Sequence, residues 1–166
     1  MRNYKLIVEY EGTNYSGWQA QTVLPTIQGS LVIAARRLTR DSEARVAGAS
    51  RTDAGVHALG QVAAVDTAST LTPGEVLRAL NHLLPEDVAV RAVALVGAGF
   101  DPRRHAVARV YRYSVSHGAP RSPLGRAREW RRGGALDVEA MERAAALLPR
   151  GVRDWAAFAG KVPEGY

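Results

Sequence analysis

The spacing of apolar residues over the first hundred positions constrains the fold most strongly. Four short segments alternate apolar and polar residues and are rich in β-forming side chains, which is typical of strands: residues 5–11, 43–49, 61–67 and 87–96. Segments with helical spacing run from Thr26 to Arg40 and from Thr72 to Leu84. This β-α-β-β-α-β order predicts an α/β (α+β) protein with a ferredoxin-like N-terminal half, in which both helices cover one face of an antiparallel sheet.

The pattern restarts after residues 97–99. Residues 109–116 alternate and predict a strand, residues 119–134 predict an irregular loop rich in Arg, Pro and Gly, and Asp137 caps a helix predicted to run through Leu148. Val138, Met141 and Ala145, together with Leu148, give that helix an apolar face to bury. We therefore expect a ferredoxin-like domain over residues 1–104 and the incomplete start of a related second α/β domain over residues 105–166.

Charge separates the two regions. Residues 1–100 contain nine basic and nine acidic residues, whereas residues 101–166 contain thirteen basic and seven acidic residues, so the net charge of +6 lies in the later region. Twenty of the 22 basic residues are Arg, whose planar guanidinium binds phosphates and stacks on bases. This distribution favours a nucleic-acid partner contacted by residues 105–166. The alternative is a genome whose codon usage favours Arg, which the many Ala residues also fit.

Several classes of protein are disfavoured by composition. The chain has no Cys, and its four His residues have no helical i, i+4 pair, so we expect no metal site. No apolar run approaches the roughly 20 residues that a membrane span needs. The first ten residues have the pattern of a strand and lack the apolar core of a signal peptide. We therefore expect a cytoplasmic protein without a membrane span.

Residues 47–58, with the sequence AGASRTDAGVHA, resemble the signature G-R-T-D-A-G-V-H of the tRNA pseudouridine synthase A family, except that Ser50 occupies a position usually held by Gly. Further segments resemble the family's motifs in the same order: residues 10–19, 26–28, 81–85, 100–103, 108–113 and 154–158. Because six collinear motifs are far more specific than one, the resemblance extends over essentially the whole chain. Family members are considerably longer, and the missing part corresponds to the end of the second half.

The resemblance implies an enzyme that isomerises uridine to pseudouridine in tRNA, at about positions 38 to 40 of the anticodon stem-loop. It also implies a homodimer that grips tRNA through basic surfaces. The reaction breaks the N1–C1′ bond of uridine, turns the base and joins C5 to C1′. A carboxylate can stabilise the positive character that develops during such a step, as in glycoside hydrolysis. No cofactor is required.

Asp53 is the catalytic residue that the resemblance implies, because it is the carboxylate of the signature. Viewed alone, an Asp before Ala-Gly is more typical of a turn residue whose side chain binds nearby backbone amides. Three roles remain open: attack on C1′, attack on C6, or stabilisation of charge followed by removal of the C5 proton. Arg51, two residues earlier, could keep this carboxylate ionised, could enter the RNA stack when the uridine is flipped out, or could only contact a phosphate.

The family's active-site tyrosine corresponds to Tyr111. On the predicted strand Tyr111 shares a face with Tyr113, so core packing is the alternative for both rings, and Tyr113 is interpreted as structural. The Tyr111 ring could stack on the extruded uracil, and its hydroxyl could assist proton transfer. Arg103 and Arg109 are candidate substrate-binding residues, as is Arg112, although any one of them could be solvated surface.

Two other interpretations compete with an active enzyme. The β-α-β-β-α-β order is also that of RNA-recognition modules, which stack bases on aromatic residues of the sheet. The predicted strands lack the aromatic-rich motif of those modules, which counts against this interpretation. The second alternative is an inactive, truncated relative of the enzymes, and the sequence fits an active and an inactive form equally.

Overall fold

The computed structural model describes residues 1–118 and 120–158, which form two compact units, Met1–Arg112 and a second one that begins at Tyr113. The elements of the first unit are β1 (Arg2–Tyr10), α1 (Ile27–Thr39), β2 (Arg45–Gly48), β3 (Ala58–Thr67), α2 (Pro73–Leu83) and β4 (Val88–Val96). The second unit contains β5 (Val115–His117), β6 (Trp130–Arg132), α3 (Val138–Ala146) and a single 3₁₀ turn (Ala156–Phe158).

The first unit is an α+β structure built on a four-stranded sheet in the order β2-β3-β1-β4, with antiparallel pairing throughout. The predicted α+β class and antiparallel sheet are therefore confirmed. The central strand β1 pairs with β3 on one side, where Leu6 lies opposite Ala63, and with β4 on the other. Register shifts in β1 near Val8 and Tyr10 lie next to the point where the chain leaves the sheet.

One face of the sheet is buried under the two helices. Alternate residues of β1, namely Tyr4, Leu6, Val8 and Tyr10, lie in the core and are at most 3% exposed. The same hydrophobic cluster includes Leu31 of α1 and Leu80 of α2, which shows that both helices pack against this face. Complete burial of one such aliphatic side chain contributes about 1.5–3 kcal/mol, so this cluster holds the first unit together and fixes the position of its loops.

The helix boundaries follow the local sequence closely. The Thr26 hydroxyl accepts a hydrogen bond from the Gly29 N–H at the start of α1. At the start of α2, Thr72 and Glu75 form a reciprocal capping box, in which the side chain of each residue accepts a hydrogen bond from the backbone N–H of the other. Helix α1 ends at Thr39, and the next residue, Arg40, caps it with a φ of 52°, the left-handed conformation usually taken by Gly.

The second unit differs from the predicted pattern at three places. The prediction of a strand over residues 109–116 was wrong for most of its length, because residues 109–114 belong to no strand and β5 comprises Val115–His117. The predicted loop at 119–134 contains β6, which pairs in parallel with β5. Helix α3 ends at Ala146, two residues before the predicted end. Alternation favours a strand only where a neighbouring backbone completes the ladder. Residues 109–113 have no such partner among the described strands, and Ser114 only accepts one hydrogen bond of 2.8 Å from the Trp130 N–H of β6.

Helix α3 has an apolar face, but none of its residues is buried in the described part of the second unit. The side chains of Val138 and Met141 remain about half exposed. Asp137 caps the helix as predicted, since its carboxylate accepts a hydrogen bond of 2.8 Å from the Ala140 N–H. Among the helices within residues 1–118 and 120–158, none is long and apolar enough to cross a membrane.

Candidate active site

The connection between β2 and β3 carries the signature residues, and it forms a turn at the edge of the first unit. The Val56 N–H donates to the Asp53 carbonyl oxygen at 3.2 Å, and Gly55 has a φ of 78° that suits Gly. Asp53 is exposed. Its carboxylate makes no hydrogen bond or ion pair with any described residue, so it does not play the amide-binding role that is usual for an Asp in a turn. The side chain that the sequence singles out is therefore available to a ligand.

The loop that follows β1 holds this turn at three points. At the first point, the residue of the turn that is held is Thr52. The Trp18 N–H donates to the Thr52 carbonyl oxygen at 2.9 Å, and the hydroxyls of Tyr10 and Thr52 share a hydrogen bond of 2.9 Å. Gly17 has a φ of 85°, and a Cβ at this position would lie 2.5 Å from the Thr52 carbonyl oxygen. The buried Trp18 ring packs against Gly48 of β2, where an added Cβ would lie 2.5 Å from the indole. Only Gly allows these close approaches.

The second point is Tyr15. The Gly55 N–H donates to the Tyr15 carbonyl oxygen at 3.2 Å. The Tyr15 hydroxyl donates to a carboxylate oxygen of Asp87 at 2.5 Å, which ties the loop to the segment before β4. Burial of the phenol, with this hydrogen bond and the charge of Asp87, raises the pKa of Tyr15 to about 12, because each disfavours the phenolate. The side chain is thus a neutral donor at ordinary pH and keeps the loop in place.

The third point joins the loop to the end of the turn. The Gly12 N–H donates to Nδ1 of His57 at 3.0 Å. A Cβ on Gly12 would lie 2.0 Å from the Val56 carbonyl oxygen, so the two backbones are in direct contact. Because Val56 binds the Asp53 carbonyl oxygen, the contact fixes both ends of the turn. The backbone on either side of Asp53 is therefore held firmly while its side chain has no partner among the described residues.

Tyr111 lies in the first unit, which also contains Tyr10 and Asp53. Burial raises the pKa of Tyr10; hydrogen bonds from Thr52 and Gln61 oppose this effect, and the negative charge of an ionised Tyr111 would add to it. Thr52, which shares a hydrogen bond with Tyr10, is next in sequence to Asp53. Tyr111 is 56% exposed, so packing in the core does not explain it. Tyr113, the other ring of the predicted strand, is 87% exposed.

The structure gives the four predicted arginines different surroundings, and Arg112 is exposed and lies outside any strand. Arg51 is exposed in the connection between β2 and β3, outside either strand, and makes no ion pair with Asp53. Arg109 donates through Nη2 to the Ala49 carbonyl oxygen at 2.8 Å and to the Arg103 carbonyl oxygen at 3.2 Å. Its guanidinium thus joins the segment entering the signature turn to the segment after β4. Arg103 has an exposed side chain, and its N–H binds Asp101.

A basic concavity lies within the second unit. Its volume is about 680 Å³, and it is lined by Ser116, Arg121, Ser122, Pro123, Gly125, Arg126, Glu129 and Arg131. Ser116 lies opposite Arg131 in the β5–β6 pair. Three guanidinium groups and two hydroxyls face one carboxylate here, a combination suited to phosphate groups. Within the described ranges, no group of three or more His, Asp or Glu side chains could hold a metal ion.

The residues that hold the turn could not be assigned from the sequence. Residues 10–19 are recognisable as a motif, but nothing in their order indicates that Gly12, Tyr15 and Gly17 contact the signature from 40 residues away. The two loop glycines are the one local signal, since Gly in a non-repetitive segment often marks a close backbone approach. Gln61 was also missed. Its side chain donates to the Ser50 carbonyl oxygen at 2.8 Å and supports the start of the turn.

Comparison with known proteins gives a consistent result. Residues 6–103 match the family model described as tRNA pseudouridine synthase. The chain is 44% identical over 158 residues to tRNA pseudouridine synthase A of Geotalea uraniireducens (strain Rf4). This alignment covers 95% of this chain and 64% of that protein. The enzyme of the same name from Myxococcus xanthus is 48% identical over 158 residues, covering 95% of this chain and 59% of that protein.

The chain belongs to the tRNA pseudouridine synthase family, because a family model matches more than half of it and because its similarity to these relatives extends over nearly its whole length. It spans about three fifths of the length of the curated relatives that it matches.

Proposed function

We propose that the protein isomerises uridine to pseudouridine in tRNA and that Asp53 is its catalytic carboxylate. The observation that carries this proposal is an exposed carboxylate without a partner among the described residues, on a turn whose backbone is held at three points. Membership of the tRNA pseudouridine synthase family supports the reaction, and the names of the relatives support tRNA as the substrate.

The reaction needs no net change in composition. The N1–C1′ bond breaks, the uracil turns, and a C5–C1′ bond forms; the C5 proton is lost and N1 gains a proton. An ionised Asp53 would stabilise the electron-poor centre that forms when the base is released. A carboxylate already engaged by backbone amides would do this less well, so the absence of such bonds favours the role. Asp53 can act by bonding to the sugar, by bonding to the base, or by supplying charge and later taking the C5 proton.

Tyr111, Arg51, Arg103 and Arg109 complete the proposed site. Tyr111 is exposed and belongs to the same unit as Asp53, which supports stacking of its ring on the extruded uracil, with its hydroxyl near the reacting base. Arg51 is exposed and unpaired among the described residues, which supports contact with RNA, through a phosphate or by entering the space that the uridine leaves. Arg103 is a further candidate contact. Arg109 already binds two backbone carbonyls, which supports a role in shaping the site.

The finer features of the fold and of the substrate belong to the same proposal. We infer a ferredoxin-like domain over residues 1–104, supported by the β2-β3-β1-β4 sheet order, and the start of a second α/β domain over residues 105–166. The target uridines are those near positions 38 to 40 of the anticodon stem-loop, and the enzyme acts as a cytoplasmic homodimer without cofactor. The basic concavity of the second unit contributes to tRNA binding through RNA phosphates.

Asp53→Asn tests the proposal, because the substitution is nearly isosteric and removes only the charge. Release of tritium from C5-labelled tRNA should fall by at least several thousandfold, while a tRNA binding curve stays within a fewfold of the original, as expected when a group acts mainly in the transition state. Glu86→Gln is the matched control, since it removes one exposed negative charge from the same unit and should leave turnover unchanged.

The same measurements separate the proposal from its rivals. Near-normal turnover by Asp53→Asn would refute the role of this carboxylate. Binding of tRNA without turnover by the unmodified protein would favour an RNA-binding module or an inactive relative.

A further inference from the structure

His57 lies at the end of the signature turn, four residues after Asp53, and two groups compete for one of its ring nitrogens. Nδ1 accepts a hydrogen bond from the Gly12 N–H at 3.0 Å. The same Nδ1 lies 3.4 Å from Oε1 of Glu11. An imidazole nitrogen accepts a hydrogen bond only when it carries no proton, so the Gly12 bond requires the tautomer with its proton on Nε2. A proton on Nδ1 would break the Gly12 bond and would direct the nitrogen towards the Glu11 carboxylate.

The Gly12 bond matters because Gly12 is buried and its backbone is in direct contact with Val56. A Cβ on Gly12 would lie 2.0 Å from the Val56 carbonyl oxygen, so the two segments cannot move independently. The Val56 N–H in turn holds the Asp53 carbonyl oxygen. A continuous series of contacts therefore runs from the His57 ring through Gly12 and Val56 to the backbone of Asp53.

We infer that His57 is a positioning residue: Nδ1 of its ring accepts the Gly12 hydrogen bond and so holds the Asp53 turn in the productive geometry through Gly12 and Val56. This inference rests on the proposed function of Asp53. The Glu11 carboxylate, which also accepts a hydrogen bond from Thr13, lies 3.4 Å from the same nitrogen.

Two substitutions separate the role of the acceptor from that of the ring. In His57→Asn, Oδ1 can take the place of Nδ1 as an acceptor and does not gain a proton in the range where His titrates. His57→Leu keeps comparable bulk without an acceptor. We expect His57→Leu to lower kcat about ten- to a hundredfold, as small displacements of reacting groups do, with KM for tRNA nearly unchanged. His57→Asn should restore kcat to within a fewfold.

A spectroscopic readout keeps the inference testable if the protein shows no turnover. The ¹⁵N shift of Nδ1 should be that of an unprotonated acceptor at neutral pH, and exchange of the Gly12 amide hydrogen should accelerate at least tenfold in His57→Leu but not in His57→Asn. The inference is overturned if Nδ1 carries the proton at neutral pH or if Gly12 exchange is the same in both variants. Equal kcat for His57→Leu and the unmodified enzyme overturns it as well. Absence of turnover with the expected Gly12 exchange would instead refute the proposed reaction alone.

Discussion

Replacement of Gly17 by Ala tests how the loop after β1 holds the signature turn. Gly17 has a φ of 85°, and a Cβ at this position would lie 2.5 Å from the Thr52 carbonyl oxygen and 3.1 Å from the Asp53 carbonyl carbon. Two costs therefore add. A left-handed conformation costs an L-residue about 1–2 kcal/mol, and forcing extra volume into a packed site costs typically about 1–3 kcal/mol. Gly17→Ala should thus lower the free energy of unfolding by roughly 2–5 kcal/mol.

Gly55 provides the matched control for this substitution. Its φ is 78°, close to that of Gly17, but a Cβ there would meet no atom within 4 Å. Gly55→Ala therefore carries only the conformational cost of about 1–2 kcal/mol. Both substitutions restrict the unfolded chain equally, so this contribution cancels when the two are compared. The difference between the variants isolates the contact with Thr52.

Urea denaturation at constant pH measures that difference directly. If m is about 2 kcal/mol per molar, an excess cost of about 2 kcal/mol at Gly17 lowers the midpoint by about 1 M relative to Gly55→Ala. The m values should agree, because neither change alters the surface exposed on unfolding. Equal midpoints for the two variants would show that the loop yields without cost and that Thr52 is not held by Gly17.

Three further predictions concern other parts of the molecule. The pKa of Tyr15 is raised from 10.0 to about 12 in the folded state, so its contribution to stability is fully present below pH 10 and is lost as the pH rises to 12. Between pH 10 and 12, the free energy of unfolding of Tyr15→Phe should therefore fall less than that of the unmodified protein. An equal fall in both proteins would contradict the assignment. Arg40→Gly should stabilise the protein by about 0.5–1 kcal/mol, because a φ of 52° after the last residue of α1 suits Gly. The control, Arg37→Gly inside the helix, should destabilise the protein. A lower thermal midpoint for Arg40→Gly would contradict the prediction. Replacing Arg121 and Arg126 with Ala should reduce the slope of log K for tRNA binding against log salt concentration by about 0.7–0.9 for each phosphate that is no longer neutralised. Arg37→Ala should leave this slope unchanged. Equal slopes for the two variants would make codon usage the better explanation of the basic charge.

The parts of the fold that local interactions determine were predictable from the sequence. The alternation in β1 identified the strand, and Thr72 with Pro73 marked the start of α2 at the residue where the capping box is found. The strand predicted over residues 109–116 was wrong because alternation describes which faces a segment could present and does not supply a paired backbone. The guanidinium of Arg109 binds the Ala49 carbonyl oxygen, an interaction between residues 60 apart that no local pattern contains.

The candidate site divides along the same line. Asp53 was predictable because its neighbours form a recognisable signature, and its catalytic role remains a prediction. The contacts of Gly12, Tyr15 and Gly17 with the turn depend on strands β1 and β3 being adjacent, which brings residues 40 positions apart into contact. The role expected of an isolated Asp in a turn also failed as a guide, since the bond from the Val56 N–H goes to the Asp53 carbonyl oxygen and not to its carboxylate.

This division of bonds between backbone and side chain has a physical reason. A carboxylate that must stabilise a developing positive charge is most effective when hydrogen bonds have not already satisfied it, yet a residue in an exposed turn needs bonds to stay in place. The turn meets both needs by placing its bonds on the backbone atoms of Thr52, Gly55 and Val56 and on the Thr52 hydroxyl. It follows that substitutions in residues 12–18 can alter the position of Asp53 without changing any residue of the signature. The loop after β1 is therefore as much a part of the proposed site as the signature itself.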